Sequence, residues 1–128
     1  MNNRELGKKY EDIAMQYLEK TGFKILERNY RIRTGEIDII ALKPVCYNKK
    51  INELHLIEVK FRRNLSCGLP EEAVGIKKQK QICKVYDYYR LTHPKYNDCQ
   101  VCFDIVAING VNINFYENVF YYSSNALF

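Results

Sequence analysis

Gly35-Glu36-Ile37-Asp38-Ile39-Ile40 and, after a polar stretch, Ile57-Glu58-Val59-Lys60 are the segments on which the reading of this chain turns. Each places an acid inside a run of β-branched, apolar residues. Asp and Glu are depleted in strands, and a buried ionised carboxylate is costly unless something pairs with it. Side chains alternate along a strand, so Glu58 and Lys60 share one face while His55, Ile57 and Val59 take the other. By the same count Glu36 and Asp38 share a face, and Ile37, Ile39 and Ala41 line the reverse. If the two strands are neighbours, Asp38, Glu58 and Lys60 meet at one spot on a sheet. Two clustered acids beside an ammonium group make a cation site suited to phosphate chemistry. The same residues also fit a plainer arrangement, a pair of edge-strand acids bridged to Lys60 and a nearby arginine.

The repulsion between such acids needs an answer. Two like charges about 4 Å apart repel by about 4 kcal/mol at an effective dielectric of about 20. Lys60 supplies part of the compensation, and a bound cation would supply more. Hard divalent ions take oxygen ligands, and magnesium typically binds one or two carboxylates while keeping several waters. A cation held this way lowers the pKa of bound water and offsets charge building on a scissile phosphate.

Around these segments the chain organises as helix, strands, helix, strands. Leu6, Tyr10, Ile13 and Tyr17 recur at helical spacing, with Ala14 and Leu18 widening the stripe, and this predicts a helix from Asn3 to Lys20 stopped by Gly22. Gly7, Glu11, Ala14 and Leu18 follow 4-3-4 spacing, so Glu11 lies on an otherwise small or apolar seam. Strands are expected over Phe23–Arg33 (irregular), Glu36–Leu42 and Leu54–Phe61, with a polar hairpin loop from Lys43 to Glu53. Pro70, followed by Glu71 and Glu72, predicts a second helix running to Leu91 and closed by His93-Pro94. Its Val74, Ile82, Val85 and Tyr89 form an inward stripe, and Tyr86, Tyr88 and Tyr89 read as packing residues. Cys99–Ile108 is a fourth strand, and Asn109-Gly110 signals a hairpin into Val111–Phe115. The helix between strands three and four implies a crossover connection.

Composition bounds the rest. At 128 residues, 47% hydrophobic and 27% charged, the chain has the balance of one folded domain, residues 1–128, rather than a disordered one. A net charge of +5 permits an anionic partner without requiring one. The polar start and the lack of a bilayer-length apolar run argue against a secretory signal and a membrane span. Five cysteines, an odd number, suggest reduced thiols and a cytoplasmic location. Cys99 and Cys102 form a C-x-x-C, but in a strand that offset points to opposite faces and zinc would need two further ligands. Asp104 alternates inside an apolar strand, where pairing with a basic residue gives it a structural role. His55 should face away from the acids.

An Asp, then Glu-x-Lys on the adjacent strand, after a helix bearing an acid, resembles the PD-(D/E)xK nuclease superfamily. More narrowly, nearly the whole chain resembles the YraN-like family of small bacterial proteins. Gly7-x-x-x-Glu11-x-x-Ala14 with Leu18 and Gly22, Asn29-Tyr30-Arg31, Gly35-Glu36-Ile37-Asp38, Glu58-Val59-Lys60 with Arg62, Lys77 and Phe103-Asp104 carry the resemblance. It implies an α/β fold with a restriction-endonuclease-like core, a central mixed sheet of about four to five strands flanked by helices. It further implies metal ligation by Asp38, Glu58 and the carbonyl of Val59, with Lys60 as the catalytic lysine and Glu11 reaching in from its helix. The metal would be Mg2+ or Mn2+, and the substrate DNA, including branched or otherwise structured DNA. Lys77 matches a helix-borne position for backbone contact, and Arg31, Arg33, Arg62 and Arg63 flank the site and suit phosphate. The alternative within the same fold is a nucleic-acid-binding module with little turnover. Cutting both strands would favour a two-fold homodimer. One position departs: Cys102 stands before Phe103 where the resemblance leads one to expect arginine.

Overall fold

The structure is a computed structural model that describes residues 2–44, 52–62 and 74–123, with the side chain of Arg62 outside that set. Its elements are α1 (Asn3–Lys20), β1 (Lys24–Ile32), β2 (Gly35–Pro44), β3 (Asn52–Arg62), α2 (Ile76–Thr92), a 3-10 turn (Pro94–Tyr96), β4 (Gln100–Asn109) and β5 (Asn112–Phe120). The five strands form one sheet in the order β1-β2-β3-β4-β5. All neighbours are antiparallel except β3 and β4, which run parallel. The connection carrying α2 explains that exception, because parallel neighbours need a crossover. The α/β class, the mixed sheet and the flanking helices agree with a restriction-endonuclease-like core.

Local chemistry fixes the ends of α1. The Asn2 side chain accepts the Glu5 amide at 2.8 Å while Glu5 reaches back to the Asn2 amide, a reciprocal capping box. At the other end Gly22 adopts φ 100°, and the Phe23 and Gly22 amides bond back to the Leu18 and Glu19 carbonyls. Only a residue tolerant of positive φ closes a helix this way.

Each face of the sheet buries its own cluster. Ala14 and Leu18 of α1 pack with Phe23, Ile39, Ala41, Ile57, Val106 and Ile108 on one side. Ile82, Val85, Tyr86 and Tyr89 of α2 pack with Ile40, Leu54, Leu56, Phe103 and Ile105 on the other. The central strands are therefore apolar on both faces, as strands covered by helices must be.

Several expectations are corrected. α2 begins at Ile76 behind Gly75, so Val74 is buried ahead of the helix rather than within it; Pro70, Glu71 and Glu72 lie outside the described residues. Gly75 is the N-cap of α2 and its backbone is extended, φ −72° and ψ 167°, so the helix starts after it. Strands β2 and β3 extend into the expected loop, pairing Pro44 with Asn52, because ladder bonds outweigh the polar composition there; residues 45–51 are not described. The β4–β5 turn is Gly110-Val111, with Asn109 still paired to Asn112 and Gly110 at φ 61°. β5 runs on to Phe120 past an irregularity at Asn118, φ 54°, which hides its length from a period-two reading. Tyr88 is exposed, unlike the buried Tyr86 and Tyr89.

The strict alternation assigned to β2 also fails at one residue. Ile39 and Ala41 face α1, whereas Ile37 joins the α2-side cluster. Registered pairing of β2 with β3 ends at Ile39↔Ile57, so the start of β2 is free to turn away from the sheet plane. This departure decides where Asp38 sits.

Candidate metal and nucleic-acid site

Asp38 and Glu58 occupy the first positions beyond the last β2–β3 pair, where the two strands part. The Val59 amide bridges the gap, donating to Asp38 Oδ2 at 2.8 Å. Because the start of β2 turns, Glu36 and Asp38 line clefts on both faces of the sheet. Residues from both helices can therefore reach one site.

On the α2 side, a cavity of about 80 Å3 is lined by Glu36, Asp38, Glu58 and Lys78 over apolar walls that include Ile82 and Phe103. Glu58 Oε1 lies 3.3 Å from Lys60 Nζ and 3.8 Å from Lys78 Nζ. Its second oxygen, Oε2, is buried with no hydrogen-bond partner among the described residues. Such an oxygen is expensive, since a buried acceptor left unmade costs about 1–3 kcal/mol or more when charged.

On the α1 side, an open cleft of about 630 Å3 runs from Arg4 and Lys8 past Glu11, Arg28 and Arg31 to Asp38. Glu11 lies 3.8 Å from Arg28, which binds Asp12 more closely at 2.7 Å. Arg31 holds Glu36 at 2.9 Å. Tyr10 stacks on Phe61 at 4.0 Å between ring centres, anchoring this part of α1 to β3.

The acids act on one another. Burial raises the Asp38 pKa from 3.8 to about 6; the Val59 amide pulls it down, and the charges of Glu11, Glu58 and Glu36 push it up. A carboxylate whose ionisation is opposed by burial and by three other acids gains from any cation brought beside it.

The structure thus brings Asp38, Glu58, Lys60 and Glu11 to one place. Val59 takes part through its amide. Arg31 lines the α1-side cleft, and Arg33 is exposed. Arg63 and the Arg62 side chain fall outside the described residues. Lys77 is exposed on α2, and its neighbour Lys78 is the lysine that approaches Glu58. Lys78 sits four residues before Ile82 and seven before Val85, so its place on the inward stripe was readable. Arg4 and Lys8 share a helical face with Glu11 by the same spacing. Arg28 was hidden by the irregular pairing of β1 between Ile25 and Glu27, which upsets any count of faces.

Residues 10–108 match the family described as "Uncharacterised protein family UPF0102". This chain belongs to the UPF0102 family. A UPF0102 protein of Dictyoglomus thermophilum is 47% identical over 109 residues, covering 84% of this chain and 85% of that protein. A UPF0102 protein of Caldicellulosiruptor saccharolyticus is 37% identical over 126 residues, 94% and 100% of the two chains. A third, from Fusobacterium nucleatum, is 40% identical over 119 residues, 93% of each. The UPF0102 match spans Glu11, Asp38, Glu58, Lys60 and Lys78, and stops before β5. Among the described residues no helix is long and apolar enough to cross a membrane, and Cys83, Cys99 and Cys102 are free.

Proposed function

We propose that this UPF0102 chain is a metal-dependent nuclease of the PD-(D/E)xK kind, hydrolysing phosphodiester bonds in DNA. The observation that carries the reading is the buried Oε2 of Glu58, without a partner among the described residues, beside an Asp38 whose ionisation is opposed by three other acids. That donor set is all oxygen and strongly anionic, which fits Mg2+ or Mn2+. Asp38 and Glu58 would hold the ion, with the Val59 backbone alongside and Glu11 contributing negative charge from α1. When bound, such an ion supplies a water of lowered pKa and neutralises charge on the phosphate.

The chain's own residues do the remainder. The Lys60 ammonium, 3.3 Å from Glu58 and partly exposed, is placed to stabilise an attacking hydroxide or the charge of the pentavalent transition state. Arg4 and Lys8 line the cleft that leads to Asp38 and would contact a sugar-phosphate strand lying there, while Arg28 is held by Asp12 and Glu11. Arg31 holds Glu36, keeping that acid from competing for the role of Asp38.

The test is cleavage of duplex, single-stranded and branched DNA in Mg2+ or Mn2+, with Lys60→Ala and Glu58→Gln as comparisons. Cutting that requires both residues and stops with chelator supports the reading. Salt-dependent binding without cutting of any substrate would replace it with a binding module.

A further inference from the structure

On the face of the sheet turned toward α1, away from Glu58, three side chains of the kinds that bind borderline metals converge. Glu53 and His55 are two apart on β3 and so share a face; Cys102 on β4 is the register partner of His55. One ligand atom from each lies within 4.8 Å of the others. We propose that Glu53, His55 and Cys102 bind a zinc-class divalent ion that pins β3 to β4, in a site separate from the hard-cation site at Asp38 and Glu58.

Three features support a metal over a simple polar contact. The donor set is one carboxylate, one imidazole and one thiol, which matches Zn2+ or Co2+ and does not suit Mg2+ or Ca2+. The outer shell is already in place: Asp104 engages His55 Nδ1, and its other oxygen accepts the Asn118 amide at 2.9 Å. A carboxylate on one ring nitrogen fixes the tautomer and leaves the other nitrogen for an ion, the usual arrangement around metal-bound histidines. Access is also provided, since His55 is fully enclosed while the Glu53 side chain is 20% exposed at the rim. Solvent reaching that rim would complete a tetrahedral set with water.

Charge balance makes the exchange affordable in a buried place. Nε2 faces Glu53 Oε1 at 2.9 Å and Nδ1 faces Asp104, so without metal both nitrogens donate protons to carboxylates. Metal binding would release the Nε2 proton and the Cys102 thiol proton to solvent as two positive charges arrive. The cluster's net charge is then the same before and after. C-x-x-C spacing did not reveal this, because the companions of Cys102 come from β3 and not from Cys99.

Cobalt is the direct probe. The full chain, stripped with chelator and titrated with Co2+, should bind one equivalent with a thiolate-to-cobalt charge-transfer band that the all-oxygen site cannot produce. Cys102→Ser should lose the band, and Cys99→Ser should keep it. If the Cys102 variant fails to fold, Glu53→Gln at the exposed rim should weaken Co2+ binding at least about tenfold. Zn2+ should raise the melting temperature of the wild type. Absence of the band from folded wild-type protein, its persistence in Cys102→Ser, or unchanged affinity in Glu53→Gln overturns the proposal. None of these outcomes bears on DNA cleavage.

Discussion

Glu58 and Asp104 are both acids in the central strands, one on each face of the same sheet, and they are treated in opposite ways. Both oxygens of Asp104 are used, one by His55 and one by the Asn118 amide, and the residue is closed off from solvent. Glu58 has two lysines on one oxygen and, among the described residues, nothing on the other. A folded chain gains by completing a buried polar cluster, as around Asp104, and loses by leaving one open. The open one is therefore the place proposed to take a cation. Even the zinc-class ion inferred at Glu53, His55 and Cys102 would replace protons within a completed cluster, whereas a cation at Glu58 would fill an unmet need.

The contrast breaks most visibly under mutation. Lys60→Ala or Glu58→Gln should reduce metal-dependent cleavage by at least about 10²–10³-fold, the scale of losing one preorganised charge at a reacting centre. Neither should cost more than about 1 kcal/mol of stability, since Lys60 is partly exposed and Glu58→Gln takes the charge off an oxygen that has no partner among the described residues. His55→Ala should do the reverse. Leaving Asp104 buried and uncompensated should cost about 3–5 kcal/mol in denaturant midpoints taken in chelator. If Glu58→Gln cuts normally, or His55→Ala is as stable as the wild type, the two clusters differ in appearance only.

The two faces should also separate by pH in metal-free protein. Burial and neighbouring acids raise the Asp38 pKa from 3.8 to about 6, so the folded state holds its proton more tightly than the unfolded. The consequence is no effect below 3.8, then a loss of stability that grows until the pH passes about 6 and stays in full above it. Asp38→Asn should therefore be the more stable protein at pH 7, by an amount on the order of 3 kcal/mol, and equal to wild type near pH 3. For His55, burial alone would lower the pKa, but its bonds to Asp104, Cys102 and Glu53 override this and raise it from 6.5 to about 10. That stabilisation is complete below 6.5 and is lost as the pH rises through about 10. Melting temperatures of the wild type, Asp38→Asn and a His55 variant across this range test both signs. An Asp38→Asn protein less stable than wild type at pH 7 contradicts the assigned cause.

These clusters were not equally legible in the sequence. Asp38, Glu58 and Lys60 announce themselves because charged residues interrupt apolar strand runs, and strand periodicity then puts Glu58 and Lys60 together. Glu11 showed as a misfit on the α1 seam. The direction of His55 was also readable, since it shares parity with Ile57. Its partner was not: Asp104 lies 49 residues away, and only the parallel β3–β4 register brings the two together. Register across a crossover is a tertiary property, with no local pattern to record it. The turn at the start of β2 was equally hidden, because it arises where ladder pairing stops. Without it, Glu11 and Lys78 would stand on opposite faces with no common site.

The smallest expected effect separates two adjacent lysines on α2. Lys77 is exposed, so its charge can act only on a distant phosphate, and Lys77→Ala should weaken DNA binding while lowering the salt slope by about 1. Lys78 lies 3.8 Å from Glu58 Oε1 and is 40% exposed, so its ammonium competes electrostatically with a cation brought to the other oxygen of the same carboxylate. Removing that competitor should tighten metal binding. The gain is bounded by what a half-exposed pair contributes, about 0.2–1 kcal/mol, or up to about fivefold in affinity. Manganese titrations of Lys78→Ala and Lys77→Ala, read by calorimetry without DNA, distinguish the two positions. If both variants bind manganese as the wild type does, Lys78 is only part of a solvated helix face. If Lys78→Ala binds more tightly and Lys77→Ala does not, α2 helps set the charge of the site from the side of the sheet opposite Glu11.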